Sequence, residues 1–199
     1  MSETLNILKQ RRSIYALGTN VKQNEDEIAG LIKEAIKESP SAFNGQTVRA
    51  LILFGDASNS VWDIVEKRLK TEVPTDEAYK KTQDKIATFR AGFGTVLFFT
   101  ETDTVHFQEE NFALYADNFQ DWSEQAIGGA QQAVWVALAE AGLGASLQHY
   151  NPLIDDQIAE KFDIPASWHL RSEMPFGSIE APAGPKEYLD DADRFQIIK

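Results

Sequence analysis

The chain has 199 residues, of which 43% are hydrophobic and 25% are charged, and it contains no cysteine. This length and composition predict one globular domain over residues 1–199, and the lack of cysteine excludes disulfides, thiolate metal sites and a cysteine nucleophile. The 31 acidic residues exceed the 19 basic residues, giving a net charge of −12. Such a charge repels nucleic acid and anionic membranes, so neither is an expected partner.

The sequence supports neither a metal site nor a membrane-spanning segment. The three histidines (His106, His149 and His169) are not spaced as helical metal ligands, so no metal site is expected. The first residues, MSETLNILKQRR, lack the apolar core of a signal peptide. The run Ala126–Leu147 is half Ala and Gly and too weakly apolar to cross a bilayer. A cytoplasmic location is therefore expected.

The first half of the chain alternates helical patterns with short apolar runs. Asn24 is placed to cap an amphipathic helix, and Pro40 ends it because the residue before a proline avoids the helical region. The continuous apolar runs indicate buried strands. In chain order the predictions are a short helix capped by Ser2, the Asn24 helix, a strand over Val48–Phe54, a helix bearing Trp62 and Leu69, a polar helix beginning near Pro74 as its first turn, and a strand over Thr95–Thr100.

The second half is less regular. Residues 101–120 are rich in acids and aromatics without a clear period, which predicts an irregular or helical excursion packed on another surface. Further on, the predictions are a long helix over Asp121–Ala141 stopped by Gly142, a strand over Ala145–Gln148, a helix over Asp155–Phe162, a strand over Leu170–Phe176, and a tail over 182–199 whose end alternates like a strand.

Arg11-Arg12-Ser13 is the first candidate site. Two guanidiniums beside a hydroxyl suit a phosphate. Cations in the last turn of a helix also complement its dipole, and this structural interpretation stays open. Two of the seven arginines of an acidic chain are adjacent here, which favours the phosphate.

Three further segments carry polar side chains. The loop Ser39–Gln46 suits the edge of a heterocycle or a polyol, although the same residue types also make turns. Gln148 and His149 end a predicted strand, where open α/β sheets bind ligands; a structural histidine is the alternative. Lys186 and Arg194 in the tail suit an anion or a solvated surface. No P-loop, dinucleotide-binding or serine-hydrolase motif is present.

The order of these motifs resembles the FMN-dependent nitroreductase family over nearly the whole chain. Arg-Arg-Ser follows a first helix, then come Pro-Ser-x-x-Asn-x-Gln, an Ala/Gly-rich helix leading into Gly-Leu-Gly, and a late Arg. The stretches Gly94–Phe99 and Gly144–Pro152 resemble its short subgroup, which includes the fungal fatty-acid-repression proteins. The resemblance implies an α+β, three-layer domain with a central, mainly antiparallel sheet flanked by helices. It also implies a homodimer that exchanges its C-terminal tails and holds FMN between the subunits.

The resemblance assigns roles to particular residues. Tyr15 stands where many members carry a second basic residue, which leaves the donor to the flavin pyrimidine open, and His149-Tyr150 replaces a common Glu-Gly. The implied FMN-binding residues are Arg11, Arg12, Ser13, Lys186 and Arg194 near the phosphate, Tyr15, the loop residues Pro40, Ser41, Asn44 and Gln46 (generally from the other subunit), and Leu147, Gln148, His149 and Tyr150 along the isoalloxazine.

The implied activity is an NAD(P)H oxidoreductase. Hydride passes through flavin N5 to a planar electron-poor acceptor, such as a nitroaromatic or a quinone, by ping-pong turnover, and no protein side chain is catalytic because the flavin carries the chemistry. A flavin-binding sensor or regulator of stress or lipid metabolism with little turnover is the alternative. A cofactor-free structural protein is a third possibility, which the clustered arginines disfavour.

Overall fold

A computed structural model describes residues 2–199. Its helices and strands, in chain order, are α1 Glu3–Gln10, β1 Leu17–Gly18, α2 Glu25–Lys37, β2 Val48–Phe54, α3 Gly55–Leu69, α4 Asp76–Arg90, β3 Gly94–Glu101, α5 Thr102–Asn111, α6 Phe119–Glu140, β4 Gly144–Ala145, α7 Asp155–Phe162, β5 Trp168–Ile179 and α8 Asp191–Arg194. Short 3₁₀ turns cover Ala42–Asn44 and Ala113–Asn118.

One antiparallel sheet lies at the centre of the fold. Its strand order is β1-β5-β3-β2, and β4 pairs with the end of β5. β3 is buried along its whole length, because helices cover both of its faces. Its side chains alternate accordingly. Val96 and Phe98 pack with α2 and α6, whereas Leu97 and Phe99 pack with α3, α4 and α7. The expected α+β three-layer architecture is confirmed.

Local signals explain where the helices begin and end. Asn24 and Glu27 form a capping box at the start of α2, each side chain accepting the other residue's backbone N–H at 2.9 Å. Ser2 caps α1 through Leu5 N–H. Gly142 ends α6 with φ of +80°, a conformation that favours glycine. None of the helices formed by residues 2–199 is long and apolar enough to cross a membrane.

Three sequence expectations need correction. Pro74 is not in the first turn of α4, because Thr75 is the N-cap, accepting from Ala78 N–H, and the helix begins at Asp76. Of the two forms expected for residues 101–120, irregular or helical, the structure shows the helical one. The strand expected over Ala145–Gln148 is reduced to Gly144–Ala145, followed by a single bridge at Gln148.

The tail differs most from expectation. Its end forms no strand within the chain; instead the short helix α8 is followed by residues 195–199, which belong to no helix or strand. Phe195, Ile197 and Ile198 are largely exposed. A strand needs a neighbouring strand to satisfy its backbone groups, and the tail has none among residues 2–199.

Candidate functional site

The Arg-Arg-Ser motif lies just beyond α1 and not in its last turn. Arg11 is the C-cap residue and donates its backbone N–H to Ile7 O at 3.0 Å. Ser13 then bridges to Ala145, and Ile14 N–H donates to Ala145 O at 2.9 Å. The backbone of the motif is therefore attached to the sheet. The helix-dipole interpretation accounts for neither this attachment nor the cavity that the motif lines.

This cavity, which we call the arginine cavity, has a volume of about 550 Å³ and lies between residues 11–16 and 181–186. Arg11, Arg12 and Lys186 contribute three positive charges, and no acidic residue lines it. Because the chain as a whole carries a net charge of −12, such a local excess of cations selects an anion. The cavity also contains the Ser13 hydroxyl and the half-exposed ring of Tyr15.

The two arginines are held differently. The Arg11 guanidinium stacks over the Trp135 ring with 4.5 Å between Cζ and the ring centroid, and its buried Nε has no hydrogen-bond acceptor. Arg12 donates through Nη2 to Gly184 O at 2.7 Å. A buried donor without an acceptor is costly unless a ligand satisfies it. Arg11 therefore has an unused donor at the cavity, and Arg12 connects the turn to the start of the tail.

The segment Leu147–Tyr150, which we call the 147–150 segment, follows the strand that pairs with Ser13. Gln148 exchanges two backbone hydrogen bonds with Glu173, at 2.8 and 3.0 Å, and the His149 side chain is exposed. The aromatic rings of Tyr15, Phe89, Trp62 and Tyr150 are in successive contact, with centroids 5.0 to 6.4 Å apart. The segment is thus attached to the same end of the fold as Tyr15.

The loop with Pro40 and Ser41 lies at a second cavity, of about 410 Å³, against the middle of α6. Phe43, Asn44 and Gln46 have positive φ angles. Gln46 N–H donates to Ser41 Oγ at 2.9 Å and closes the loop on itself. Asn44 and Gln46 are exposed. The loop cavity and the arginine cavity share no lining residue.

The two late basic residues are placed differently. Lys186 lines the arginine cavity, as expected, and its Nζ lies 4.8 Å from the Tyr188 ring. Arg194 lines neither cavity, and its guanidinium stacks on Phe195 next to it in the tail. Within a single chain, therefore, the predicted residues fall into three groups. The arginine cavity and the 147–150 segment are attached to each other, whereas the loop and Arg194 are separate.

Several residues near the site were not predicted from the sequence. Trp122, Gln125 and Gly129 of α6 line the loop cavity. Phe43 is the centre of an aromatic cluster formed by Phe43, Phe112, Tyr115, Phe119 and Trp122, with centroid distances of 4.7 to 6.3 Å from Phe43. The aromatic content of residues 107–122 was the available signal, but nothing in its spacing identified Phe43 as the common neighbour.

Glu173 was also not predicted from the sequence. It is an acid with no exposed surface in the middle of the sheet, and burial raises its pKa to about 8. Its sequence signal is the one carboxylate within the apolar strand over residues 170–176. No group of three or more histidine and acidic side chains among residues 2–199 is arranged to hold a metal ion.

Known proteins resemble this chain over almost its entire length. The sequence pattern of the nitroreductase family matches residues 8–178. The yeast (Saccharomyces cerevisiae) protein HBN1 is 36% identical over 188 residues, covering 93% of this chain and 92% of HBN1. The yeast nitroreductase FRM2 is 31% identical over 189 residues, with 94% and 93% coverage.

Solved structures agree in fold. Nitroreductase CinD from Lactococcus lactis, in complex with nicotinic acid, is 52% identical, with a TM-score of 0.92 and coverage of 99% of this chain and 100% of CinD. CinD has also been solved with 4-nitrophenol. A nitroreductase with bound FMN from Desulfitobacterium hafniense is 15% identical and has the same fold, with a TM-score of 0.73 and complete coverage of both chains.

Proposed function

Because the chain belongs to the nitroreductase family, we propose that it is an FMN-dependent NAD(P)H oxidoreductase that reduces nitroaromatic or quinone-type acceptors. The observation that carries this proposal is the arginine cavity. Three cations and a buried, unsatisfied guanidinium N–H surround a cavity whose Ser13 pairs with Ala145, just before the 147–150 segment, in a chain whose overall charge repels anions. Such a site suits a ligand that joins a phosphate to a flat ring, as FMN does.

The residues present fit FMN. Arg11, Arg12, Ser13 and Lys186 would hold the phosphate, since guanidiniums bind phosphate through paired, charge-assisted hydrogen bonds. The backbone of the 147–150 segment and the Tyr15 ring would lie along the isoalloxazine. Bound FMN supplies hydride transfer at its N5, which no side chain of the protein provides.

The protein's own contribution is placement. Trp135 fixes the Arg11 guanidinium by stacking, and Gly184 fixes that of Arg12 through a hydrogen bond, so neither cation loses much freedom when an anion binds. The two backbone bonds between Gln148 and Glu173 hold the 147–150 segment in an extended form. Preorganised donors of this kind stabilise charge without having to reorient.

The choice of substrates is supported by relatives and by the loop cavity. CinD, at about half identity, is known in complex with nicotinic acid, whose pyridine ring is that of a nicotinamide, and with 4-nitrophenol, a nitroaromatic. In this chain Phe43 and Trp122 give the loop cavity flat apolar walls. Aromatic walls favour planar, electron-poor rings through stacking.

We further propose that the protein works as a homodimer. Gly128 and Gly129 are exposed in the middle of α6, and nothing lies within 4 Å of a side chain built at either position. A second helix can therefore approach the axis of α6 closely. A partner seated there would bring its own Pro40 loop and aromatic cluster towards the arginine cavity, joining the groups that a single chain keeps apart.

The tail supports the same assembly. The edge strand β2 is hydrogen-bonded only to β3 among residues 2–199. The tail carries exposed apolar side chains, and its last residues, 195–199, pair with no strand among residues 2–199. An open sheet edge and an unpaired apolar segment complement each other, so we propose that the tail (residues 182–199) docks on the partner subunit and that Arg194 acts there.

Steady-state kinetics test the proposed activity. NADH or NADPH oxidation by the FMN-loaded protein is expected to depend on an added quinone or nitroaromatic. Double-reciprocal plots at several acceptor concentrations are expected to be parallel, because donor and acceptor occupy the same site in turn. An FMN-loaded protein that oxidises neither nucleotide in the presence of acceptor would refute the reductase and favour the flavin-binding sensor.

A further inference from the structure

Glu173 is completely buried and is bonded to the 147–150 segment at three points. Its backbone exchanges two hydrogen bonds with Gln148, at 2.8 and 3.0 Å. Its carboxylate Oε2 also accepts the backbone N–H of Tyr150 at 3.0 Å. The side chain has no exposed surface, although the segment that it holds carries the exposed His149 and the half-buried Tyr150.

The second carboxylate oxygen is unsatisfied. Glu173 Oε1 is buried and has no hydrogen-bond partner. Buried polar atoms are nearly always paired, because each unpaired one costs free energy. A buried acid with an unpaired oxygen destabilises the folded protein. The hydrogen bond that Glu173 Oε2 accepts from Tyr150 N–H connects this side chain to the segment.

The charges around Glu173 come from three elements. Asp155, at the start of α7, opposes ionisation of Glu173 through charge repulsion. His169 and Arg171 of β5 favour the ionised form of Asp155, whereas the neighbouring Asp156 disfavours it. The Glu173 charge also acts on Tyr150 of the 147–150 segment, since burial and Glu173 together raise the pKa of Tyr150 to about 12. The paired strand β3 contributes Leu97 opposite Glu173, which carries no charge.

Ionisation changes what the carboxylate offers to the segment. Burial raises the pKa of Glu173 to about 8, against the hydrogen bond from Tyr150, which favours the charged form. In the neutral form one oxygen becomes a donor and the bond to Tyr150 N–H is weaker. In the charged form that bond strengthens, and a negative charge appears beneath the segment.

We propose that Glu173 is a positioning residue that holds the 147–150 segment in place, and that loss of its proton shifts this segment and lowers the midpoint potential of a flavin bound along it. The potential is lowered because a fixed negative charge disfavours added electrons. The effect on the flavin rests on the proposed function, whereas the shift of the segment does not.

Two pH titrations of the full-length protein test the proposal, each performed on wild type and on Glu173→Gln. The first is the midpoint potential of the FMN-loaded protein, and the second is intrinsic tryptophan fluorescence, since the Trp62 ring lies 6.2 Å from that of Tyr150. Glu173→Gln keeps an acceptor for Tyr150 N–H but cannot ionise. Glu66→Gln is the matched control, because Glu66 lies on α3 and is bonded to Arg90 and Gln83.

Wild type and Glu66→Gln are expected to show an inflection near pH 8 in both titrations, with the potential falling further above it than in Glu173→Gln. Loss of both inflections in Glu173→Gln supports the proposal. Inflections that persist in Glu173→Gln overturn it. If that variant does not fold, Asp155→Asn takes its place. Removal of a neighbouring negative charge then moves the inflections to lower pH, and unchanged inflections overturn the proposal.

A protein that binds no FMN would refute the proposed function and, with it, the effect on the flavin. The fluorescence titration would still decide whether Glu173 positions the segment. The two failures are therefore distinguishable.

Discussion

Individual side chains in this protein are fixed before any ligand arrives. Trp135 lies beneath Arg11, and Gly184 accepts from Arg12, so the two guanidiniums of the arginine cavity already have defined orientations. Of the nitrogens of these two guanidinium groups, Arg11 Nε is buried without an acceptor. In the proposed function, an incoming phosphate would gain bonds from cations that are already oriented.

Replacing these arginines is expected to weaken FMN binding. Hydrogen bonds to charged groups contribute about 1.5 to 3 kcal/mol, so Arg11→Ala or Arg12→Ala should raise the FMN dissociation constant by about 10- to 100-fold. Fluorescence quenching of FMN on titration with protein measures this constant. Arg68→Ala is the control, since Arg68, near the end of α3, bonds Thr71 and Glu72 just beyond that helix. Unchanged flavin affinity in the double variant Arg11→Ala/Arg12→Ala would remove the phosphate assignment.

Glu173 is expected to make stability depend on pH. Its pKa is raised from 4.5 to about 8 in the folded protein, so the unfolded chain loses the proton first as pH rises. Glu173 therefore costs stability increasingly between those values. Relative to Glu173→Gln, wild type should lose about 3 kcal/mol of unfolding free energy from about pH 5 to about pH 8. Urea unfolding at each pH measures the difference, and a constant difference would contradict the raised pKa.

At the scale of elements, the fully buried strand β3 organises both helical layers. One of its few polar groups is Thr95, whose Oγ1 accepts from Trp62 Nε1 at 2.9 Å and bonds Ser58 Oγ at 2.8 Å. These bonds attach α3 to the sheet, and Trp62 in turn contacts Phe89 of α4 and Tyr150. The position of the 147–150 segment thus depends on the contact between α3 and β3, which lie much earlier in the chain.

Thr95→Val keeps the shape of the side chain but leaves the indole N–H and the Ser58 hydroxyl with one partner fewer. Leaving buried polar groups unsatisfied costs about 1 to 3 kcal/mol. A loss of this size is expected in chemical denaturation. Thr88→Val is the control, because the Thr88 hydroxyl is exposed and bonds only a carbonyl of its own helix. Equal stability of the two variants would show that the Thr95 bonds contribute nothing net.

The long helices and buried strands were predictable because their signals are local. Asn24 with Glu27, and the apolar runs of β2 and β3, are visible in a few consecutive residues. The tail, the aromatic cluster and Glu173 were not predictable in this way. Phe43 meets Phe112 and Phe119 only after a long chain excursion, and the environment of Glu173 is created by Tyr150 and Asp155 from other elements.

The candidate site was likewise predictable only in part from local sequence. The Arg-Arg-Ser turn and the 147–150 segment were identified from their residue types, and the structure attaches them to each other through the Ser13–Ala145 bridge. That the Pro40 loop forms a separate cavity of the same chain depends on tertiary packing, which no local pattern encodes. The missing neighbours of that loop and of the tail are the main reason to propose a second subunit.

At the scale of the whole molecule, the tail carries several of the most exposed apolar side chains. Leu189, Ile197 and Ile198 are 70%, 81% and 86% exposed, and apolar surface of this kind marks an interaction site. In the proposed dimer the tail covers the partner and brings Arg194 to it. Assembly and flavin binding should therefore be linked, because anything that favours the dimer also favours the bound state.

The double variant Ile197→Asp/Ile198→Asp is expected to dissociate the dimer at micromolar concentration, since charge replaces apolar contact at two positions. FMN retention should fall with it. Sedimentation velocity gives the oligomeric state, and the absorbance of the purified protein gives its flavin content. Gln196→Asp, which adds charge in the same tail without deleting an apolar side chain, should leave both unchanged. A dimer that survives the double variant would place the interface elsewhere.

The most direct test of the proposed reductase is an anaerobic titration of the FMN-loaded protein with NADH and NADPH, followed by visible absorption. The flavin bands are expected to bleach stoichiometrically with at least one nucleotide and to return when a quinone is added. A protein that takes up no FMN, or whose flavin bands are unchanged by both nucleotides, would refute the proposed reductase.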